Sequence, residues 1–125
     1  MKNLRLLTTS VLLSAGIMVS AVAQENPKLS DEEVAHVAVV ANQIDIDYAA
    51  IAKEKSKDAE ILKFAETMTN DHKAVIGQAT DLVKKLSVTP KENSVSKKLL
   101  SDAEQTKKTL RTKSDKAFNK AYIDN

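Results

Sequence analysis

A histidine interrupts an aliphatic series in the middle of the chain. Between Ile61 and Leu86, small or apolar residues recur at alternating steps of three and four, as on one face of an amphipathic helix. His72 occupies a position where this series calls for an aliphatic side chain, and Asp71 precedes it. Because a titratable ring on a buried seam needs a partner, we expect His72 either to form a hydrogen bond or to bind a ligand.

The preceding helix offers an acidic neighbour for this ring. If the chain turns back near residue 57, His72 lies within one helical turn of Asp45, roughly 4.5 Å along the axis. One interpretation is a half-buried histidine that is hydrogen-bonded to Asp45, to Asn42 or to a backbone carbonyl. The alternative is a divalent-metal site in which His72 is joined by Asp45, by Asp71 or by ligands from a partner chain. Imidazole and carboxylate groups are common ligands of such ions.

The other histidine, His36, stands three residues after Glu33. Di-iron carboxylate bundles use this Glu-x-x-His spacing with both side chains facing inward. Here the apolar seam of the helix passes through Val34 and Val37, so we expect His36 to lie toward the outer face. Glu33 also has a capping role at the start of the helix. We therefore interpret the pair as exposed polar residues and not as metal ligands.

Signatures of enzymatic catalysis are missing from the sequence. It contains no nucleophile elbow, phosphate-binding glycine loop, cysteine motif or Ser/His/Asp set. Two histidines, one of them outward, provide few groups for acid–base chemistry near neutral pH. We expect no catalytic residues and no cofactor beyond a divalent metal at His72, and we favour a binding or structural module that is not an enzyme. The alternative is a metal-binding or metal-dependent redox protein centred on His72. Tyr48, on the seam of the first helix, is expected to be a core aromatic residue.

These residues belong to a chain whose first 23 residues resemble a secretory signal. Lys2 and Arg5 form a basic start, an uncharged apolar run follows, and small residues precede a cleavage site after Ala23. We expect a bacterial periplasmic or secreted protein with one domain over residues 24–125. After cleavage, we expect no stable membrane span.

Charge and composition narrow the classes of partner. The chain has 19 basic and 17 acidic residues, and two of the basic ones lie in the signal, so the mature protein is neutral. A neutral chain without a concentrated basic face gives no electrostatic case for nucleic-acid binding. The chain has no cysteine, so no disulfide can stabilise it outside the cytoplasm. Its stability must come from helix packing, alone or with a ligand or partner chain.

The pattern along the mature chain predicts an all-α, up-and-down helical bundle. Glycine and proline are rare, and residues that favour helix are abundant. Three long helices are expected, the first ending near Lys55 and the second running antiparallel to it after a short turn. Helix caps are predicted at Ser30, at Ser56 or Asp58, at Thr89 or Ser94, and at Ser114.

A fourth helix is expected to begin at Ser114-Asp115 and is short compared with the others. Its apolar residues are Phe118, Ala121 and Tyr122, and the sequence ends at Asn125. We expect either a domain that is truncated at its C-terminal end, or a homo-oligomer or helical partner that completes the bundle.

Two groups of residues give the chain a family resemblance. Phe64-Ala65, Met68 and Asp71-His72 form one group, and Phe118 with Ala121-Tyr122 forms the other. With them, essentially the whole mature chain resembles the bacterial secreted proteins grouped as domain of unknown function 4142. The resemblance implies a ferritin-like bundle of four helices, an exported protein and a link to envelope stress, but no particular reaction.

The sequence departs from this family pattern at its end. In relatives, the helix that bears the tyrosine runs on and contributes a further histidine. Here Asn125 precedes that position. A site that needs histidines from both the second and the fourth helices is therefore incomplete in these 125 residues.

Overall fold

The computed structural model describes residues 27–125, which form four α-helices. These are α1 (Asp31–Lys55), α2 (Ala59–Lys85), α3 (Ser94–Thr112) and α4 (Asp115–Ile123). The described residues contain no β-strand, and the all-α prediction is confirmed. None of these helices is long and apolar enough to cross a membrane. The predicted signal at residues 1–23 and its cleavage after Ala23 lie outside the described part of the chain.

Local capping motifs begin the first two helices, as predicted. The Ser30 hydroxyl accepts from the Glu33 backbone N–H at 3.4 Å, and the Glu33 carboxylate accepts from the Ser30 backbone N–H at 3.0 Å. The Asp58 carboxylate accepts from the backbone N–H groups of Glu60 and Ile61. These contacts satisfy donors that a free helix start leaves unpaired.

The start of α3 differs from both predicted positions. Neither Thr89 nor Ser94 caps this helix; the cap is Asn93, whose side-chain oxygen accepts from the backbone N–H groups of Val95 and Ser96 at 3.0 Å each. The Ser96 hydroxyl in turn accepts from the Asn93 backbone N–H at 3.1 Å. The reciprocal arrangement is a capping box with serine in the place of the usual glutamate.

Helix α1 contacts each of the other three helices. Helix α2 runs antiparallel to α1, so that His72 lies beside Asn42 near the middle of both. Helix α3 runs parallel to α1: the Asn93 side chain donates to the Glu33 carbonyl at one end, and the Lys55 ammonium donates to the Arg111 carbonyl at the other. The up-and-down order predicted from the sequence is confirmed.

The core lies at the end of the bundle where α1 finishes and α4 packs. Its buried apolar residues are Tyr48, Ala49, Ile51, Ala52, Ala65, Ala103, Leu110, Phe118 and Tyr122. The Phe118 ring is fully buried and stacks on Tyr122, with centroids 6.1 Å apart. The Ser56 hydroxyl donates to the Asn119 side chain at 2.8 Å and fixes α4 against the turn. Tyr48 is a core aromatic residue, as predicted.

The opposite end of the bundle is open. Val75 and Leu82 of α2 are 44% and 55% exposed, and Leu86, the C-terminal cap of α2, is 61% exposed. Val34 of α1 is 52% exposed. The sequence placed these residues on buried seams, and that expectation is wrong at this end. The physical reason is that α4 packs only at the other end, while α3 scarcely contacts α2.

Candidate functional site

The His72 ring lies between two acceptors on α1. Its Nδ1 is 2.7 Å from the Asn42 side-chain oxygen, and its Nε2 is 3.6 Å from an Asp45 carboxylate oxygen. The Asn42 amide nitrogen donates to the Ala38 carbonyl at 2.8 Å, which orients the amide oxygen toward the ring. Because that oxygen can only accept, this hydrogen bond requires a hydrogen on Nδ1, and Nε2 is the ring nitrogen that faces Asp45.

The site is half-buried and open to solvent. The side chains of His72 and Asp45 are 24% and 41% exposed. The hydrogen bond with Asn42 confirms the first interpretation made from the sequence, in which Asn42 was one of three alternative partners. Asp45 is close enough to share an ion or a water molecule with the ring.

The 3.6 Å separation of the His72 Nε2 and the Asp45 oxygen is within the range for two ligands of one divalent ion. Two ligand atoms that each lie about 2.1 Å from an ion are roughly 3.6 Å apart when the angle between them is about 120°. The Asn42 amide holds the second ring nitrogen, as outer partners do for metal-binding histidines. Asp71 is exposed on α2. Across residues 27–125, no three His, Cys, Asp or Glu side chains are grouped so that they could hold a metal.

His36 is not directed outward as predicted. It is half-buried, and its Nδ1 is shielded from solvent without a hydrogen-bond partner among the described residues. His36 lies on the same face of α1 as Glu33 and Asp47. The Glu33 carbonyl accepts from the side chain of Asn93, which caps α3. The Asp47 carboxylate lies 3.5 Å from the Lys107 ammonium of α3. The prediction failed because α1 buries two faces, one against α2 and one against α3, and the sequence analysis considered one seam.

The Glu-x-x-His spacing at Glu33 and His36 does not form a metal pair in the structure. The Glu33 carboxylate is hydrogen-bonded to the backbone N–H of Ser30 at the start of α1. This agrees with the capping role that the sequence assigned to it, so the carboxylate is engaged away from the ring.

The surroundings of α1 raise the pKa of a tyrosine on one side and of a lysine on the other. Burial raises the pKa of Tyr122, and the nearby negative charge of Asp45 raises it further. On the other side of α1, the hydrogen bond to Glu104 raises the pKa of Lys107, and Asp47 adds to this effect. The two acids Asp45 and Asp47 therefore serve different faces of α1, as residues two positions apart on a helix must.

Comparison with known proteins gives a family but no solved relative. No curated protein matches the chain, and no solved structure matches it. One family model, described as a domain of unknown function, DUF4142, matches residues 18–125. The match includes all four helices, the His72 site and both groups of residues on which the sequence resemblance rests. With a match over most of its length, the chain belongs to the DUF4142 family.

Proposed function

We propose that this chain is an exported, non-enzymatic binding module that takes an amphipathic helix into the open end of its bundle. The observation that carries the proposal is a groove of about 300 Å³ between α1 and α2. Its lining is apolar apart from Asp31: Val34, Ala35, Ala38, Ala79, Leu82, Val83, Leu86 and Val88.

The spacing of the groove residues favours a helix as the occupant. Ala79, Leu82 and Leu86, which line the groove, continue from Val75 at steps of four, three and four along α2 and its C-terminal cap, which is the spacing of a helix-packing seam. Alanine residues at the floor allow close approach of another backbone. Exposed Leu82 and Leu86 would lose contact with water when a helix covers them.

We propose that a second copy of the chain supplies this helix. The mature chain is neutral, so two copies meet without long-range repulsion. The same apolar stripe on both copies can form a self-complementary contact, as in two-fold symmetric dimers.

The oligomeric state tests this proposal. Light scattering on residues 24–125 over a dilution series should show a dimer that dissociates as the protein is diluted. Leu82→Lys should give a monomer with unchanged helix content. Leu100→Lys is the matched control, because Leu100 is 44% exposed on α3 and does not line the groove; this variant should still dimerise. A wild-type protein that is monomeric at every concentration and melts cooperatively contradicts the proposal.

Export is part of the proposed function. It is supported by the basic start, the uncharged run and the small residues that end at Ala23. Mass spectrometry of the protein from fractionated cells should find an N-terminus at Gln24 in the periplasmic or secreted fraction. Recovery of the intact chain from the cytoplasm alone would count against export.

A second candidate function is divalent-metal binding at His72 and Asp45. It is supported by the 3.6 Å separation of the Nε2 and carboxylate oxygen atoms and by the hydrogen bond that orients the ring. Water molecules or a partner chain would supply the remaining ligands. Zinc, copper and iron should be measured in protein purified from its native compartment, for the wild type and for His72→Ala. Equal metal content in the two proteins rejects this function.

A further inference from the structure

The aromatic residues of this chain gather at one end of the bundle. The sequence has two tyrosines, two phenylalanines and no tryptophan. Three of these residues, Tyr48, Phe64 and Tyr122, line a cavity of about 90 Å³, and the other lining residues are Asp45, Met68, Ile123 and Asn125. The fourth, Phe118, stacks on Tyr122. The lining thus combines three aromatic rings, a thioether and a carboxylate with the aliphatic Ile123 and the polar Asn125.

Packing holds the rings of this cavity in place. Tyr48 and Tyr122 are 8% and 6% exposed, so their positions are set by the core. Phe64 meets Tyr122 edge to face, with centroids 6.0 Å apart and planes at 65°. Phe64 itself is 43% exposed, which leaves the cavity accessible from solvent on that side. A ligand would therefore find a largely preformed site.

The charges around the cavity favour a cation. Asp45 contributes a carboxylate, and the faces of aromatic rings carry negative electrostatic potential. No lysine or arginine is among the residues that line the cavity. The nearby Lys55 ammonium lies 6.0 Å from the Phe118 ring centre, and Phe118 does not line the cavity. Among residues 27–125, no basic side chain lines this cavity.

We infer that this cavity binds a small alkylammonium head group, with its positive charge against Asp45 and its alkyl groups against the rings of Tyr48, Phe64 and Tyr122. The cavity is smaller than the pockets of about 300 to 1,000 Å³ that hold drug-sized ligands, so its volume suits a small head group. Aromatic faces and a thioether suit an alkylated nitrogen better than Mg²⁺ or Ca²⁺, which need several oxygen ligands. The site is separate from the helix-binding groove at the opposite end.

Choline is a suitable probe, and 3,3-dimethyl-1-butanol is its neutral counterpart of the same shape. Because the chain has so few aromatic residues, carbon-detected or proton–carbon spectra can resolve the four rings individually. EDTA in the buffer keeps divalent ions away from His72 and Asp45, because Asp45 belongs to both candidate sites. We expect choline to shift the resonances of Tyr48, Phe64 and Tyr122 with a Kd on the order of 1 mM. The neutral alcohol should bind about tenfold more weakly.

Two variants test the residues that carry the inference. Phe64→Leu, at an exposed position, should weaken choline binding roughly fivefold while the protein stays folded. Asp45→Asn should weaken it by about tenfold and abolish the preference for choline over the alcohol. Leu100→Ala, on the surface of α3, is the control and should bind like the wild type. Equal binding of choline and the alcohol, unchanged binding by Phe64→Leu, or no choline binding would each overturn the inference.

Discussion

His72 and His36 sit in opposite surroundings on either side of α1. The ring of His72 has a short hydrogen bond with Asn42 and a carboxylate beside its other nitrogen. The ring of His36 has a nitrogen that is shielded from water and unpaired within the described residues. A buried polar atom without a partner costs free energy, whereas a paired one contributes to stability.

Substitution of each histidine by leucine should therefore shift stability in opposite directions. We expect His36→Leu to raise the free energy of unfolding by about 1 kcal/mol, because it removes the unpaired nitrogen. We expect His72→Leu to lower it by about 1 kcal/mol, because it leaves the Asn42 amide oxygen without its partner. Urea denaturation monitored by circular dichroism measures both changes. A loss of stability in His36→Leu equal to that in His72→Leu would contradict this account.

Alkaline pH should destabilise the protein through Tyr122. Burial and the charge of Asp45 raise the pKa of this tyrosine in the folded state, so the folded protein keeps the phenol proton to a higher pH than the unfolded chain does. The contribution of Tyr122 to stability is complete below the unfolded pKa of about 10 and is lost as pH rises through the higher folded value.

The measurement compares the wild type with Tyr122→Phe in urea. The difference in stability between the two proteins should change as the pH is raised from about 9 to about 11, because only the wild type loses the contribution of this group. Other groups that titrate in this range, such as lysines, are common to both proteins. A difference that stays constant over this range would show that Tyr122 titrates alike in both states.

The surroundings of His72 could be predicted from the sequence, whereas those of His36 could not. His72 was detectable because it breaks an aliphatic stripe, and the antiparallel turn brought Asn42 and Asp45 within reach. His36 was misjudged because the second buried face of α1 is made by α3, which lies about 60 residues away in the sequence. The cavity beside Asp45 could not be foreseen, since it depends on how α4 packs against α1 and α2.

Among the helices, the caps differ in how far their hydrogen bonds reach. Ser30 bonds only within the first turn of α1. Asn93 caps α3 and also donates to the carbonyl of Glu33 on α1, so it joins two helices. Asn93 is 8% exposed, whereas Ser30 is exposed.

This contrast predicts that alanine substitutions at the two caps lower stability by unequal amounts. Ser30→Ala should lower the free energy of unfolding by about 1 kcal/mol, as for an ordinary exposed cap. Asn93→Ala should cost about 2 kcal/mol or more, because it also leaves the Glu33 carbonyl without this donor. Thermal or urea unfolding of the two variants beside the wild type makes the comparison. Equal losses would mean that the link to α1 contributes nothing measurable.

The same contrast explains which helix boundaries were predictable. The starts of α1 and α2 depend on Ser30 and Asp58, whose partners are within three residues. The start of α3 depends in part on Glu33, in the first turn of a separate helix. Local sequence favoured a start at Thr89-Pro90, but α3 begins at Ser94, directly after Asn93, whose side chain is bonded to α1.

Across the whole molecule, the hydrophobic residues are unevenly protected. Phe118 is fully buried at the aromatic end, whereas Val75 is 44% exposed toward the open end. By spacing alone the two are equivalent members of apolar stripes. Burial distinguishes them, and burial depends on which neighbouring helix covers each stripe.

Substitution of these two residues by alanine should lower the free energy of unfolding by very different amounts. Phe118→Ala should lower stability by about 3 to 5 kcal/mol, since it leaves a large cavity between α4 and the core. Val75→Ala should change it by no more than about 0.5 kcal/mol in the monomer. Urea denaturation at low protein concentration measures both. A large loss in Val75→Ala would show that the open end is covered in solution.

The loop between α2 and α3 is tied to the first turn of α1. The Lys91 backbone N–H donates to the Glu32 carbonyl, and the Asn93 side chain donates to the Glu33 carbonyl. At the open end, α3 is thereby fixed to α1, while the last turns of α2 have α1 as their main neighbour. If the groove widens, we therefore expect the last turns of α2 to move away from α1 while α3 stays in place. Backbone amides near Leu82 should consequently exchange with deuterium sooner than those near Ile51, with the slowest exchange at the aromatic end.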